Sequence, residues 1–175
     1  MIIRADGFEF DFPEALDAFV FDEKDRSQPH YHGLSHAMKA VDLVVELPTH
    51  TLFVEMKDFH IPDDYDFRNA GTGSDGQDRR SHFNHLQKVL IDKVRASWLY
   101  RWAEQTREMP EKPVKYLCVL TLDTPVLSPL AKELRQKIPV GRAGPRWQRP
   151  LVEACIVLNP ERWNHVFPAW RLTRY

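Results

Sequence analysis

Residues 39–59 read KAVDLVVE (39–46), LPTH (47–50) and TLFVEMKDF (51–59). Two runs rich in Val, Leu and Phe flank four residues in which Pro48 suits the second position of a type I turn, so a β-hairpin is expected. If Leu47 to His50 make the turn, Glu46 lies opposite Thr51, Val44 opposite Phe53, and Asp42 opposite Glu55. Side chains alternate along a strand. Asp42, Glu55 and Lys57 therefore share one face, while Val41, Leu43, Val45, Leu52, Val54 and Met56 form the other. One face is expected to be core and the other to carry chemistry.

Two carboxylates directly opposite each other in a hairpin have Cβ atoms about 4.5 to 5.5 Å apart. At that range they repel unless something positive lies between them. A hard divalent cation such as Mg²⁺ takes one or two carboxylates and completes its shell with water and phosphate oxygens. A lysine beside it can orient the attacking water and offset phosphate charge. The plainer alternative is a solvated polar face holding an ion pair.

Working outward, Asp11 with Glu14 three residues on, and Phe12, Leu16, Phe19 and Val20 at helical spacing, predict a short helix over 12–24. Residues 58–80 carry Gly, Asp, Asn and Pro without sustained periodicity and are expected to be a long loop. Phe83, Leu86, Val89, Leu90, Val94 and Trp98 predict the longest helix, over 81–105. VKYLCVLTLD (114–123) and LVEACIVLN (151–159) read as buried strands, SPLAKELRQKI (128–138) as a helix between them, and the tail from Pro160 as a short helix. Helix, hairpin, helix, strand, helix, strand is the signature of an α/β chain with a mixed sheet flanked by helices.

At 175 residues, 43% hydrophobic and 28% charged, the chain is expected to form a single domain spanning 1–175. No apolar run reaches the roughly 18 residues of a membrane span, and MIIRADGFEF lacks a signal peptide's apolar stretch, so a soluble, cytoplasmic protein without membrane association is expected. Cys118 and Cys155 sit in apolar strand-like runs and read as buried thiols. The net charge of −1 conceals a division: residues 1–78 hold 6 Lys and Arg against 17 Asp and Glu, and residues 79–175 hold 18 against 8. Acids in front can gather metal and an Arg-rich back can meet phosphates, or the two halves simply pair with each other.

Asp42, a twelve-residue gap and then Glu55-Met56-Lys57, within a hairpin followed by a helix and a strand, resembles the core of the PD-(D/E)XK nuclease superfamily over roughly residues 12–123. The resemblance implies a restriction-endonuclease-like αβββαβ core and hydrolysis of DNA phosphodiester bonds by metal-activated water. It implies that Asp42, Glu55 and the main-chain carbonyl of Met56 hold Mg²⁺ or Mn²⁺ and that Lys57 serves the attacking water. Val41 stands where the family's proline often precedes the first acid, and Ile91 stands in place of the tyrosine of the RecB-like branch. Many members add an acid from the first helix, for which Glu14 or Asp17 is a candidate, though a capping role explains Glu14 better; Gln87 or Lys88 is a candidate from the long helix. DNA is a more natural partner than RNA, and two-strand cleavage by one site per chain usually calls for a homodimer. The rival reading keeps the fold without the reaction: an inactive nuclease-like module that binds nucleic acid or a protein partner.

Arg142, Arg146 and Arg149, with Trp147 among them, form a basic segment suited to backbone phosphates, or else a solvated loop. His30, His32 and His36 have a spacing compatible with metal but lack a matching second pair. His82 and His85 open the long helix, where they can meet a phosphate or remain solvated.

Overall fold

The computed structural model describes residues 1–59, 76–104, 112–141, 145–146 and 149–175, with the backbone alone for 76–81. Among these residues the elements run β1 (Ile2–Ala5), β2 (Phe8–Asp11), β3 (Asp17–Val20), β4 (Leu43–Glu46), β5 (Thr51–Lys57), α1 (Gly76–Glu104), β6 (Val114–Leu120), α2 (Thr124–Lys137), β7 (Ala154–Leu158), α3 (Pro160–Val166) and β8 (Leu172–Arg174). A five-stranded sheet has the order β3-β4-β5-β6-β7, and a three-stranded one the order β1-β2-β8. The large sheet is mixed. β3, β4 and β5 are antiparallel, whereas α1 and α2 return the chain so that β5, β6 and β7 run parallel.

The hairpin has the anticipated register, with Leu43 opposite Val54, Val44 opposite Phe53 and Glu46 opposite Thr51. Its four-residue turn is closed by the Leu47 N–H donating to the His50 carbonyl at 2.8 Å. The expected division into one core face and one chemical face is corrected. Val44 and Phe53 are fully buried beneath α1 and α2, together with Tyr116, Cys118, Leu90, Val94, Leu130 and Leu134. On the other face Leu43, Val45, Leu52, Val54 and Met56 pack against Phe8, Phe10 and Phe12 of the small sheet, Leu172 and Trp163 of α3. Both faces of the central strands are covered, as parallel crossovers require. Polar chemistry is confined to the strand ends. Val41 also changes sides, joining the helix-facing layer, because the chain bends at Asp42 and the alternation breaks there.

The helix expected over 12–24 is not formed; β3 occupies its second half. Phe19 and Phe21 face the helix layer while Ala18 and Val20 face the small sheet, so this apolar run is a strand buried on both sides. Leu16, counted toward a helical stripe, is exposed. The αβββαβ order is therefore corrected at its start: strands precede the β3-β4-β5-α1-β6 segment where a helix was expected. α1 begins at Gly76, five residues earlier than its periodicity indicates, and the rest of the loop expected over 58–80 lies outside the described residues beyond Phe59. No helix among the described residues is long and apolar enough to cross a membrane.

Candidate active site

The hairpin register carries Asp42, one residue before β4, next to Glu55 near the C-terminal end of β5. A single ammonium joins the two acids. Lys93 of α1 donates to Asp42 Oδ1 at 3.0 Å and lies 2.7 Å from Glu55 Oε1. Asp42 Oδ2 accepts from the Met56 N–H at 2.6 Å, fixing the carboxylate across the hairpin. The preceding residue is tied to α1 as well, with the Val41 N–H donating to Ser97 Oγ at 2.9 Å. Glu55 is buried, and its Oε2 has no hydrogen-bond partner among the described residues.

Burial pushes the Glu55 carboxyl well above its usual range, and the neighbouring Asp42 charge adds to this; Lys93 opposes both. Burial alone would lower the Lys93 ammonium, but Glu55 and Asp42 outweigh it and hold the group charged. A third acid, Asp6, belongs to the same field. It sits in the two-residue turn between β1 and β2, where Asp6 (φ 47°) and Gly7 (φ 78°) take the left-handed geometry of a tight hairpin. Desolvation and then Asp42 raise its carboxyl, and Lys93, Lys57 and Lys24 pull it back. Asp6 remains solvent-accessible, in contrast to Glu55.

Glu55, Lys57 and Lys93 open onto a cleft of about 100 Å³ whose wall is completed by Phe59, His82, His85, Leu86, Val89 and Leu90. The α1 members recur every three or four residues and so project from one helix face. Lys57 is half-buried, with its ammonium 5.7 Å from the centre of the Phe59 ring. Next along the chain, buried Asp58 accepts from Arg174 of β8 at 2.5 Å and from Thr121 Oγ1 at 2.9 Å; Thr121 Oγ1 in turn accepts from the Phe59 N–H. The C-terminal end of β5 is thus clamped by the neighbouring β6 end and by the last strand.

No family model, curated protein or solved structure matches this chain.

The donor set fits a hard divalent cation. Two carboxylates already converge on one positive atom, and a buried Glu55 oxygen is left without a donor, as an oxygen meant for a cation would be. In an extended strand the N–H and C=O of one residue leave on the same edge. The Met56 carbonyl therefore faces the Asp42 edge, whereas the Lys57 carbonyl faces β6 and accepts from the Thr121 N–H at 3.1 Å. Among the described residues no three His, Cys, Asp or Glu side chains converge on one point. A cation here would rely on Asp42, Glu55, main-chain oxygen, water and substrate.

Other candidates fall elsewhere. Glu14 lies in a turn and accepts from Trp170 Nε1 at 2.5 Å, on the α3 side of the sheet, with no contact to Asp42 or Glu55; its capping role fails with the missing helix. Gln87 is buried and turned to α2, bonded to Lys137 and, at 3.4 Å, to Glu133. Arg142 lies outside the described residues. Arg146 and Arg149 are exposed, and Arg149 lines a separate cleft of about 470 Å³ with Trp98, Lys112, Val114 and Glu153. Val114 pairs with Thr51 while Cys118 pairs with Glu55, so this cleft is toward the opposite end of the sheet, about 13 Å along the strands from the acids. His30 stacks on Phe19, and His32 Nδ1 accepts from the Leu34 N–H; the two rings serve packing. Cys118 and Cys155 are buried free thiols, as their strands imply.

Lys93 and Asp6 are the site residues that sequence reasoning misses. Lys93 had a signal: it is seven residues after Leu86 and three after Leu90, on the apolar stripe of α1, where a charge needs a partner.

Proposed function

We propose that this chain is a metal-dependent nuclease of the PD-(D/E)XK type that hydrolyses DNA phosphodiester bonds at the Asp42–Glu55 centre. The observation that carries the reading is the convergence of the Asp42 and Glu55 carboxylates on one positive charge, 3.0 and 2.7 Å away, with a buried oxygen of Glu55 to spare. Acids this close in so apolar a hairpin repel each other unless a positive charge lies between them.

In this reading Asp42, Glu55 and the Met56 carbonyl hold Mg²⁺ or Mn²⁺, which supplies Lewis acidity toward a phosphate oxygen and acidifies water. Asp42 keeps its orientation through the Met56 N–H, and Ser97 holds the residue before it. Lys57 faces the cleft, where its ammonium offsets phosphate charge and orients the attacking water. Leu86, Val89, Leu90 and Phe59 keep the surroundings apolar, which strengthens those interactions. His82 and His85 stand at the cleft rim within reach of a phosphate or leaving oxygen.

The test is calorimetric titration of Mn²⁺ into the wild type and Asp42→Asn, paired with cleavage of plasmid DNA. Binding and metal-dependent cleavage that both vanish in Asp42→Asn support the proposal; a wild type that neither binds Mn²⁺ nor cuts defeats it. The second reading, an inactive module, is favoured by one observation: Lys93 itself supplies a positive charge to both acids. DNA binding without Mn²⁺ binding would select it.

A further inference from the structure

The position between Asp42 and Glu55 is filled by a side chain, and by one that can leave. Lys93 reaches it on a flexible four-carbon stem from α1, and the cleft beside it has room for a displaced ammonium. We propose that Lys93 is a tethered place-holder for the divalent cation, a further working residue of the site, and that it must vacate the carboxylates for metal to bind. The inference rests on the metal-dependent reading above and goes beyond it by giving α1 a role in metal loading.

Three observations support the exchange. Lys93 contacts Asp42 Oδ1 and Glu55 Oε1, so its ammonium lies between the two carboxylates, in the space that a divalent cation held by both would need. Glu55 Oε2 has no hydrogen-bond partner among the described residues, so a single ammonium under-satisfies a pair that a divalent ion would satisfy. Lys57 and Lys93 line the same cleft, so an anion that enters it attracts the Lys93 ammonium away from the carboxylates. A substrate phosphate is that anion. Metal and phosphate are therefore coupled: phosphate in the cleft draws Lys93 away from the carboxylates, and metal at the carboxylates releases Lys93 to the phosphate. Before metal arrives, Lys93 holds the two acids together and keeps them from splaying.

The experiment compares Mn²⁺ binding by calorimetry for the wild type and Lys93→Met, which removes the charge and keeps the stem. The expected result is affinity at least about tenfold tighter in the variant. Because Lys93→Met leaves two facing carboxylates without a counter-charge and can fold poorly, a second measurement uses the wild type: lysine ε-methylene NMR signals during Mg²⁺ titration, with Lys93 assigned by Lys93→Arg. The Lys93 signal should move to a solvent-like position as Mg²⁺ saturates, and to do so at lower Mg²⁺ when inorganic phosphate is added. Equal or weaker Mn²⁺ affinity in a folded Lys93→Met, or a Lys93 signal unmoved at saturating Mg²⁺, overturns the place-holder. If neither protein binds Mn²⁺, the metal-dependent reading itself fails and Lys93 is a permanent counter-ion.

Discussion

Ser97→Ala isolates the link between α1 and the first acid of the hairpin. Ser97 is 1% exposed and its Oγ accepts the N–H of Val41, itself fully buried, at 2.9 Å. Only one oxygen is removed, so the packing loss is small. The dominant effect is a buried N–H left without its acceptor, which costs about 1–3 kcal/mol. For a chain of this size each kcal/mol lowers Tm by about 2–4 °C, giving an expected drop of about 2–12 °C. Urea denaturation should show a lower midpoint with an unchanged slope. Val41 immediately precedes Asp42, so Mn²⁺ affinity should weaken in the same variant although Ser97 touches neither carboxylate. A loss below about 0.5 kcal/mol together with unchanged Mn²⁺ affinity would refute the reasoning, because the Val41 N–H would then have another acceptor and Asp42 would be positioned without Ser97.

Lys57→Ala should fold and bind Mn²⁺ as the wild type does while cutting DNA at least about a hundredfold more slowly in single-turnover assays; equal cleavage would remove Lys57 from the reaction. Neutralising Arg146 and Arg149 together should reduce the salt slope of duplex binding by about two and leave Mn²⁺ affinity untouched, since the Arg149 cleft lies about 13 Å along the strands from the acids; an unchanged slope would place the DNA path elsewhere. Cys118 and Cys155 should resist a chromogenic disulfide reagent at pH 8 in the native protein and both react in guanidinium, because burial pushes the Cys155 thiol up to about 12 and Cys118 upward as well. The same shifts set a pH trend. Unfolded thiols lose their protons from about pH 8.5 while the folded ones keep theirs, so stability should fall as pH rises through that alkaline range.

The hairpin was legible because period-two alternation and the LPTH turn specify a register, and one register places Asp42 against Glu55. The helices α1 and α2 and the strands β6 and β7 were legible for the same kind of reason, a periodicity long enough to outweigh local noise. β3 was not. Phe12, Leu16, Phe19 and Val20 mimic a helical stripe, but Phe12 belongs to one layer, Phe19 to the other and Leu16 to solvent, and no spacing rule carries that information. β1 and β2 went unread, although Asp6-Gly7 between IIRA and FEFD is a strong short hairpin signal; where Asp6 falls relative to the acids depends on how the small sheet packs, which the turn does not encode. The meeting of Lys93 with Asp42 was beyond reach, because it depends on how α1 is rotated over the sheet. The apolar stripe nonetheless marked Lys93 as a charge in need of a partner.

The clamp that joins Asp58 to Arg174 has a consequence for the time course of folding. The Asp42–Met56 contact spans 14 residues, the Lys93–Asp42 contact 51 and the Arg174–Asp58 contact 116. Closing longer loops is entropically harder and slower, so the expected order is the hairpin first, α1 docking later and β8 last. In the interval before α1 docks, Asp42 and Glu55 face each other with nothing positive between them. That encounter is a barrier set by charge. Refolding should therefore run faster where the acids are protonated or screened, and the C-terminal strand, joining after the barrier is crossed, should govern how quickly the native chain comes apart and have little influence on how quickly it forms.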